Sequence, residues 1–212
     1  MFITVASYKG GVGKTTTAVH LAAYLQKMAP TLLIDGDPNH SATTWAQRGE
    51  FPFKIVDETA GAYEARNYEH VVIDTEARPG NADFASLVKG CDLLVIPAVP
   101  RTLDTDALLL TLDAIPPEAA QKYRVLLTMV PPPPETDGPQ LRAALQRKNY
   151  PIFQAEIPRL KSFERAAAAG VPVYEVRRDD TAMRAWQGYE DAGTEILYAE
   201  FGQRTPSKEA AR

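Results

Sequence analysis

Near the start of the chain an apolar run, FITVA, is followed at once by KGGVGKTT, Lys9–Thr16. Glycines and lysines at this density make a poor hydrophobic core and a good cradle for a polyphosphate. Glycine lets the backbone curl until its N–H groups face one anion. A helix that starts there turns its N-terminus toward the same charge. Gly10, Gly11, Val12 and Gly13 would form the cradle. Lys14 is placed to reach the terminal phosphates, the Thr15 hydroxyl to ligate Mg²⁺, and Thr16 to touch the α-phosphate. The spacing G-x-x-x-x-G-K-[ST] would put its first glycine at Tyr8, so this is a variant of the phosphate loop.

Three acids stand at the ends of apolar runs. LLIDGDP carries Asp35 and Asp37, expected just beyond a second strand, and VVIDT ends in Asp74. Ligands sit at the carboxyl edge of a parallel sheet, which is where these carboxylates would fall. A second explanation stays open for Asp35 and Asp37, because Asp-Gly-Asp-Pro is also plain turn chemistry.

These residues need strands and helices to hold them. Continuous apolar runs predict strands over Phe2–Ala6, Thr31–Ile34, Phe53–Val56, His70–Ile73, Leu93–Ile96 and Val125–Val130, with Pro151–Ile157 extended. Helical periods predict helices over Thr15–Met28, Asp104–Ala114, Pro139–Asn149, Lys161–Ala169 and Thr181–Phe201. PPPPETDG, Pro131–Gly138, is a loop, since consecutive prolines continue neither a ladder nor a helix. The expected fold class is α/β: a doubly wound, mostly parallel sheet flanked by helices, in a single domain over residues 1–201. The polar tail, 202–212, is expected to fray.

KGGVGKTT with its leading lysine, followed by LLIDGDPNHSAT, resembles the ParA/MinD family of P-loop ATPases. VVIDT, VIPAVPRTLDTDAL and IPRLKSFERAAAAGVPVYE follow in the same order and spacing, so the resemblance runs from Phe2 to about Tyr198. The resemblance implies ATP and Mg²⁺ as cofactors and a homodimer that closes on ATP. Lys9 would then cross the dimer interface to the partner's nucleotide. Asp37 would orient the attacking water and stand with Thr15 and Asp74 near the metal, Asp74 being the Walker B acid. Asp35 would lie near the metal shell. Catalysis would rest on Asp37, Lys14 and Lys9. The adenine is expected against Met129, Val130 and Pro131, and Asp104 is expected to cap a helix. The TEARP that follows Asp74 departs from the family's proline-containing pattern and leaves the role of Glu76 open.

Composition narrows the choices within that family. The chain has 212 residues and a formal net charge of −4, so polyanion binding would need a local basic patch. Arg159, Lys161, Arg165, Arg177, Arg178 and Arg184 form the candidate patch for non-specific DNA contacts; a solvated face is the alternative. One cysteine, Cys91, excludes a disulfide framework and a cysteine-held cluster, and fits a reducing, cytoplasmic setting. No long apolar span, signal peptide or basic amphipathic tail is seen, so no membrane partner is expected. With the phosphate loop near residue ten, no operator-reading module is expected either. The resulting expectation is a nucleoid-associated ATPase that positions cargo with a small adaptor protein, McdB-like or ParB-like, the cargo being a carboxysome or a plasmid. Two readings remain beside it: a metabolic P-loop ligase resembling dethiobiotin synthetase, and an ATP-gated DNA scaffold with negligible hydrolysis.

Overall fold

In the computed structural model, residues 1–7, 9–77, 81–101, 105, 108–109, 112–113 and 115–201 are described. The chain begins with β1 (Phe2–Ser7), α1 (Lys14–Gln26), β2 (Thr31–Gly36), α2 (Ser41–Ala46), β3 (Lys54–Asp57) and α3 (Glu58–Glu64). It continues through β4 (His70–Ala77), α4 (Asn81–Gly90), β5 (Leu93–Ala98), β6 (Tyr123–Val130) and α5 (Asp137–Arg147). It ends with β7 (Ile152–Pro158), α6 (Ser162–Ala169) and α7 (Ala182–Phe201). Residues 105, 108–109 and 112–113 are helical, and Leu108 and Leu112 are buried as their spacing predicts. Asp104, Tyr8 and the 202–212 tail lie outside the described residues.

The seven strands form one parallel sheet in the order β3-β2-β4-β1-β5-β6-β7. After β1 the chain builds one side of the sheet. It returns to β1 with β4 and then builds the other side. The carboxyl end of β1 therefore opens at the switch in strand order, the usual crevice of a doubly wound sheet. Both faces are covered, which is why β5 is apolar and buried at every position. One core packs α1, α2, α6 and α7 on the sheet through Leu21, Leu25, Val72, Trp45, Phe153 and Trp186. The other packs α4 and α5 on the opposite face through Phe84, Val88, Ile96, Leu127, Leu141 and Leu145.

Three short helices, α2, α3 and α4, lie in stretches for which the apolar period predicts no helix. α3 forms because Asp57 caps it, its Oδ1 accepting from Ala60 N at 2.8 Å. α4 is held by Phe84 and Val88, one turn apart and both buried.

The outer strand β7 shifts register against β6 near its middle. Side chains occupy the backbone groups there. Glu195 of α7 accepts from Gln154 N at 2.9 Å and Ala155 N at 2.6 Å. Arg142 of α5 donates to Phe153 O at 2.8 Å and Gln154 O at 3.1 Å and pairs with Glu156 at 2.7 Å. At the other edge, the four-residue β3 carries Lys54 paired with Glu64 at 2.6 Å.

Candidate nucleotide site

The loop after β1 turns through two glycines in the left-handed region, Gly11 at φ 75° and Gly13 at φ 88°. A side chain would strain both positions. Gly13 also starts α1, its carbonyl accepting from Thr17 N at 2.8 Å. The loop is tied down from β6: Thr128 Oγ1 donates to Val12 O at 2.8 Å and lies 3.3 Å from Ala98 O. Val12 is buried beneath the loop and serves through its backbone. At the loop's start, Lys9 N donates to Ser7 Oγ at 3.1 Å.

In front of the α1 N-terminus lies a cavity of about 600 Å³. Gly10, Gly11, Gly13, Lys14, Thr15 and Thr16 form its floor, and Asp37 and Met129 reach it from the ends of β2 and β6. Met129 sits at φ 51° close against Gly13. Pro131 lies elsewhere. It lines a neighbouring cleft of about 430 Å³ with Val130, Pro132, Pro158 and Leu160. Lys9 and Val12 are not among the residues that line the phosphate cavity.

The three acids separate by environment. Asp35 lies within β2, not beyond it, in register with Asp74 of β4. Its Oδ2 accepts from Thr43 N at 2.8 Å and Thr43 Oγ1 at 2.7 Å, and its Oδ1 from Asp37 N at 3.3 Å. Asp35 therefore ties the Asp37 turn to α2, while standing beside Asp74 on the neighbouring strand. Asp37 is a turn residue and a cavity residue at once. Its Oδ1 accepts from Asn39 N and Asn39 Nδ2, both at 2.8 Å, while the residue lines the cavity. Asp74 is fully buried, and neither carboxylate oxygen has a hydrogen-bond partner. Burial pushes its carboxyl up to about 7, against the pull of the Thr15 hydroxyl and the Lys14 ammonium.

A buried carboxylate without a partner is costly unless a cation neutralises it. Among the described residues no group of three or more His, Cys, Asp or Glu side chains could cage a metal alone. Mg²⁺ suits such a site, since it takes one or two protein oxygens and fills the rest with water and phosphate oxygens. Asp74 and the Thr15 hydroxyl are the residues that fit it.

The candidate basic residues are all exposed. Two already have acidic partners: Arg159 pairs with Glu135 at 2.6 Å and Arg165 with Asp179 at 2.9 Å. The second pair removes the Lys161–Arg165 repulsion that an i, i+4 spacing suggests, because Arg165 turns toward a carboxylate that is 2% exposed. Lys161, Arg177, Arg178 and Arg184 stand on the same carboxyl-terminal segment.

Asn39, Thr43, Trp45, Arg48 and Thr128 complete the site and escape the sequence reading. The spacing D-P-N signals an Asx turn for Asn39. The others meet the site through packing between distant segments.

Fold and site together define a P-loop nucleotide-binding protein with variant loop spacing. Over residues 3–173 the chain matches the model of the CobQ/CobB/MinD/ParA nucleotide binding domain; it belongs to that family and is a P-loop ATPase. "Maintenance of carboxysome distribution protein A" of Gloeobacter kilaueensis is 37% identical over 182 residues, 82% of this chain and 84% of the relative. Protein ParA of Rhizobium radiobacter is 36% identical over 145 residues, 61% of this chain and 65% of the relative. The structure of apo McdA from Cyanothece superposes with a TM-score of 0.69 at 18% identity, covering 90% of this chain and 98% of that one. Among the described residues no helix is long and apolar enough to cross a membrane.

Proposed function

We propose that this ATPase positions cargo by cycling on and off DNA. The observation that carries the reading is the convergence of Lys14, Thr15 and Asp37 on one cavity, above the unpartnered Asp74. ATP would lay its phosphates on the Gly10–Thr16 loop, with Lys14 at the terminal phosphates, and its adenine toward Met129. Thr15 and Asp74 would hold Mg²⁺, which would neutralise the charge that collects on the β-phosphate of the leaving ADP. Asp37 lies on the same cavity wall, where a carboxylate can orient a water in line with the γ-phosphate. Asn39 occupies its Oδ1, which leaves Oδ2 for that water.

Two copies would close on ATP, each Lys9 offsetting charge at the partner's nucleotide. The dimer would rest on DNA through Lys161, Arg177, Arg178 and Arg184, with Arg159 and Arg165 joining by exchanging a carboxylate for a phosphate. Such contacts read no bases. A small adaptor, McdB-like or ParB-like, would stimulate hydrolysis and release the dimer, giving a nucleoid-associated cytoplasmic protein. Residues 1–201 would carry the whole cycle as one domain. The relatives named for carboxysome distribution and partition support this reading.

The test is binding to arbitrary duplex DNA by biolayer interferometry with ATP, ADP or no nucleotide, at two salt concentrations. The expected result is binding with MgATP alone, weakening steeply with salt. Absence of binding in every nucleotide state would leave the basic segment a solvated face and favour the metabolic ligase.

A further inference from the structure

The wall of the phosphate cavity opposite the loop comes from two helices distant in sequence. α2 contributes Thr44 and Trp45, followed by Arg48; α6 contributes Ala167. The two helices are clasped through backbone carbonyls. The Trp45 indole Nε1–H donates to Ala166 O at 3.0 Å in a buried setting. Arg48 Nη1 donates to Ala167 O at 3.2 Å. Beyond them Gly49 and Gly170 touch backbone to backbone: a Cβ on Gly49 would lie 2.6 Å from Gly170 O.

Behind the clasp His20 joins the same parts to α1. Its Nδ1–H donates to Thr16 O at 2.6 Å, and its Nε2 accepts from Val173 N at 3.0 Å. Its ring meets Trp45 edge-on at 5.7 Å and Phe163 of α6 at 5.4 Å. Along the chain, α2 begins four residues after Asp37, and Asp35 fixes its first turn through Thr43. Of the candidate basic residues α6 carries Arg165, next to Glu164, and Lys161 stands immediately before its first turn. One short helix is thus a wall of the nucleotide cavity and bears Lys161 and Arg165 at its start.

We propose that Trp45 is a positioning residue: by holding Ala166 O it makes α2 and α6 one body, so that a polyanion seated at the Lys161–Arg165 start of α6 sets where Asp37 stands in the phosphate cavity. This rests on the reading above, in which Asp37 orients the water and DNA meets the carboxyl-terminal segment.

The experiment compares steady-state ATP turnover of the full chain with and without mixed-sequence duplex, in wild type, Trp45→Phe and Arg48→Ala. Phenylalanine keeps an aromatic ring against His20 while removing the indole donor and part of the ring volume. For Trp45→Phe we expect kcat to fall about tenfold while KM for ATP changes less than about twofold, the signature of a misplaced group rather than a lost binding contact. The duplex should also lose its effect on kcat. Arg48→Ala, at an exposed side chain that cannot unfold the core, should move the same way by a smaller factor. It decides the question if the melting temperature shows Trp45→Phe to be misfolded. Unchanged kcat with a retained duplex response in both variants would overturn the inference, as would parallel loss of kcat and rise of KM. Wild type that binds no duplex with ATP would instead overturn the functional reading itself, before any variant is compared.

Discussion

At the scale of single residues, Asp74 and His20 show how burial sets charge. Asp74 prefers its neutral form in the fold, with its carboxyl raised to about 7. Between the ordinary carboxyl range and that value the unfolded chain binds fewer protons than the fold. The stabilisation from this group is present at low pH and is lost as pH rises toward 7. Asp74→Asn is therefore expected to stabilise the nucleotide-free chain at pH 8 by about 2 kcal/mol while abolishing the extra stability gained from Mg²⁺ with ATP. Thermal melts with and without Mg²⁺ and ATP measure both. His20 has the opposite sign. Burial lowers its imidazole to about 4, so the unfolded chain takes up a proton first as pH falls below about 6.5. Its contribution is intact at neutral pH and declines on acidification toward 4, by roughly 3 kcal/mol at most. Imidazole NMR is expected to show a neutral ring with Nδ1 protonated down to pH 5. Titration near 6.5 would contradict that placement.

At the scale of elements, the phosphate loop depends on β6 as well as on its own glycines. Thr128→Val keeps the side-chain shape but removes the donor to Val12 O. The expected cost is about 1–2 kcal/mol of stability, with ATP affinity lowered several-fold; calorimetry measures both. The loop itself is legible in sequence, because glycines between an apolar run and a helical period have few other uses. The inner strands are legible too, since strands covered on both faces are apolar almost throughout, while the outer β3 and β7 show only as short extended runs with polar residues between. Less legible are contacts that join remote segments: Thr128 to Val12, Trp45 to Ala166, Thr43 to Asp35. A threonine or tryptophan carries no local mark of the carbonyl or carboxylate it will meet. The short α2 hides for another reason. Its six residues, SATTWA, are too few to show a helical period, and its start is set by a turn at His40 with φ 49°.

At the scale of the whole molecule, a chain of net charge −4 meets a polyanion only through a local patch. Arg177→Glu combined with Arg178→Glu is expected to abolish duplex binding with MgATP while leaving ATP affinity unchanged, measured by interferometry and by fluorescent-nucleotide titration. Lys9→Ala is expected to bind ATP as a monomer and to lose the ATP-dependent dimer, read by light scattering after size-exclusion chromatography. Should that variant still dimerise on ATP, the interfacial role of Lys9 is wrong.

Gathered at high density on DNA, as the proposed cycle requires, this ATPase would run the risk of polymerising for reasons unrelated to its fuel. Parallel sheets are open at both margins, and an open margin is a template for another strand. Here Glu195 and Arg142 already occupy the mid-strand amides and carbonyls of β7, and the opposite margin is only four residues long and carries an ion pair. Crowding therefore offers this chain little opportunity for strand exchange. In the proposed cycle, contact between two copies would lie instead at the nucleotide rim and would be made and unmade as the nucleotide changes.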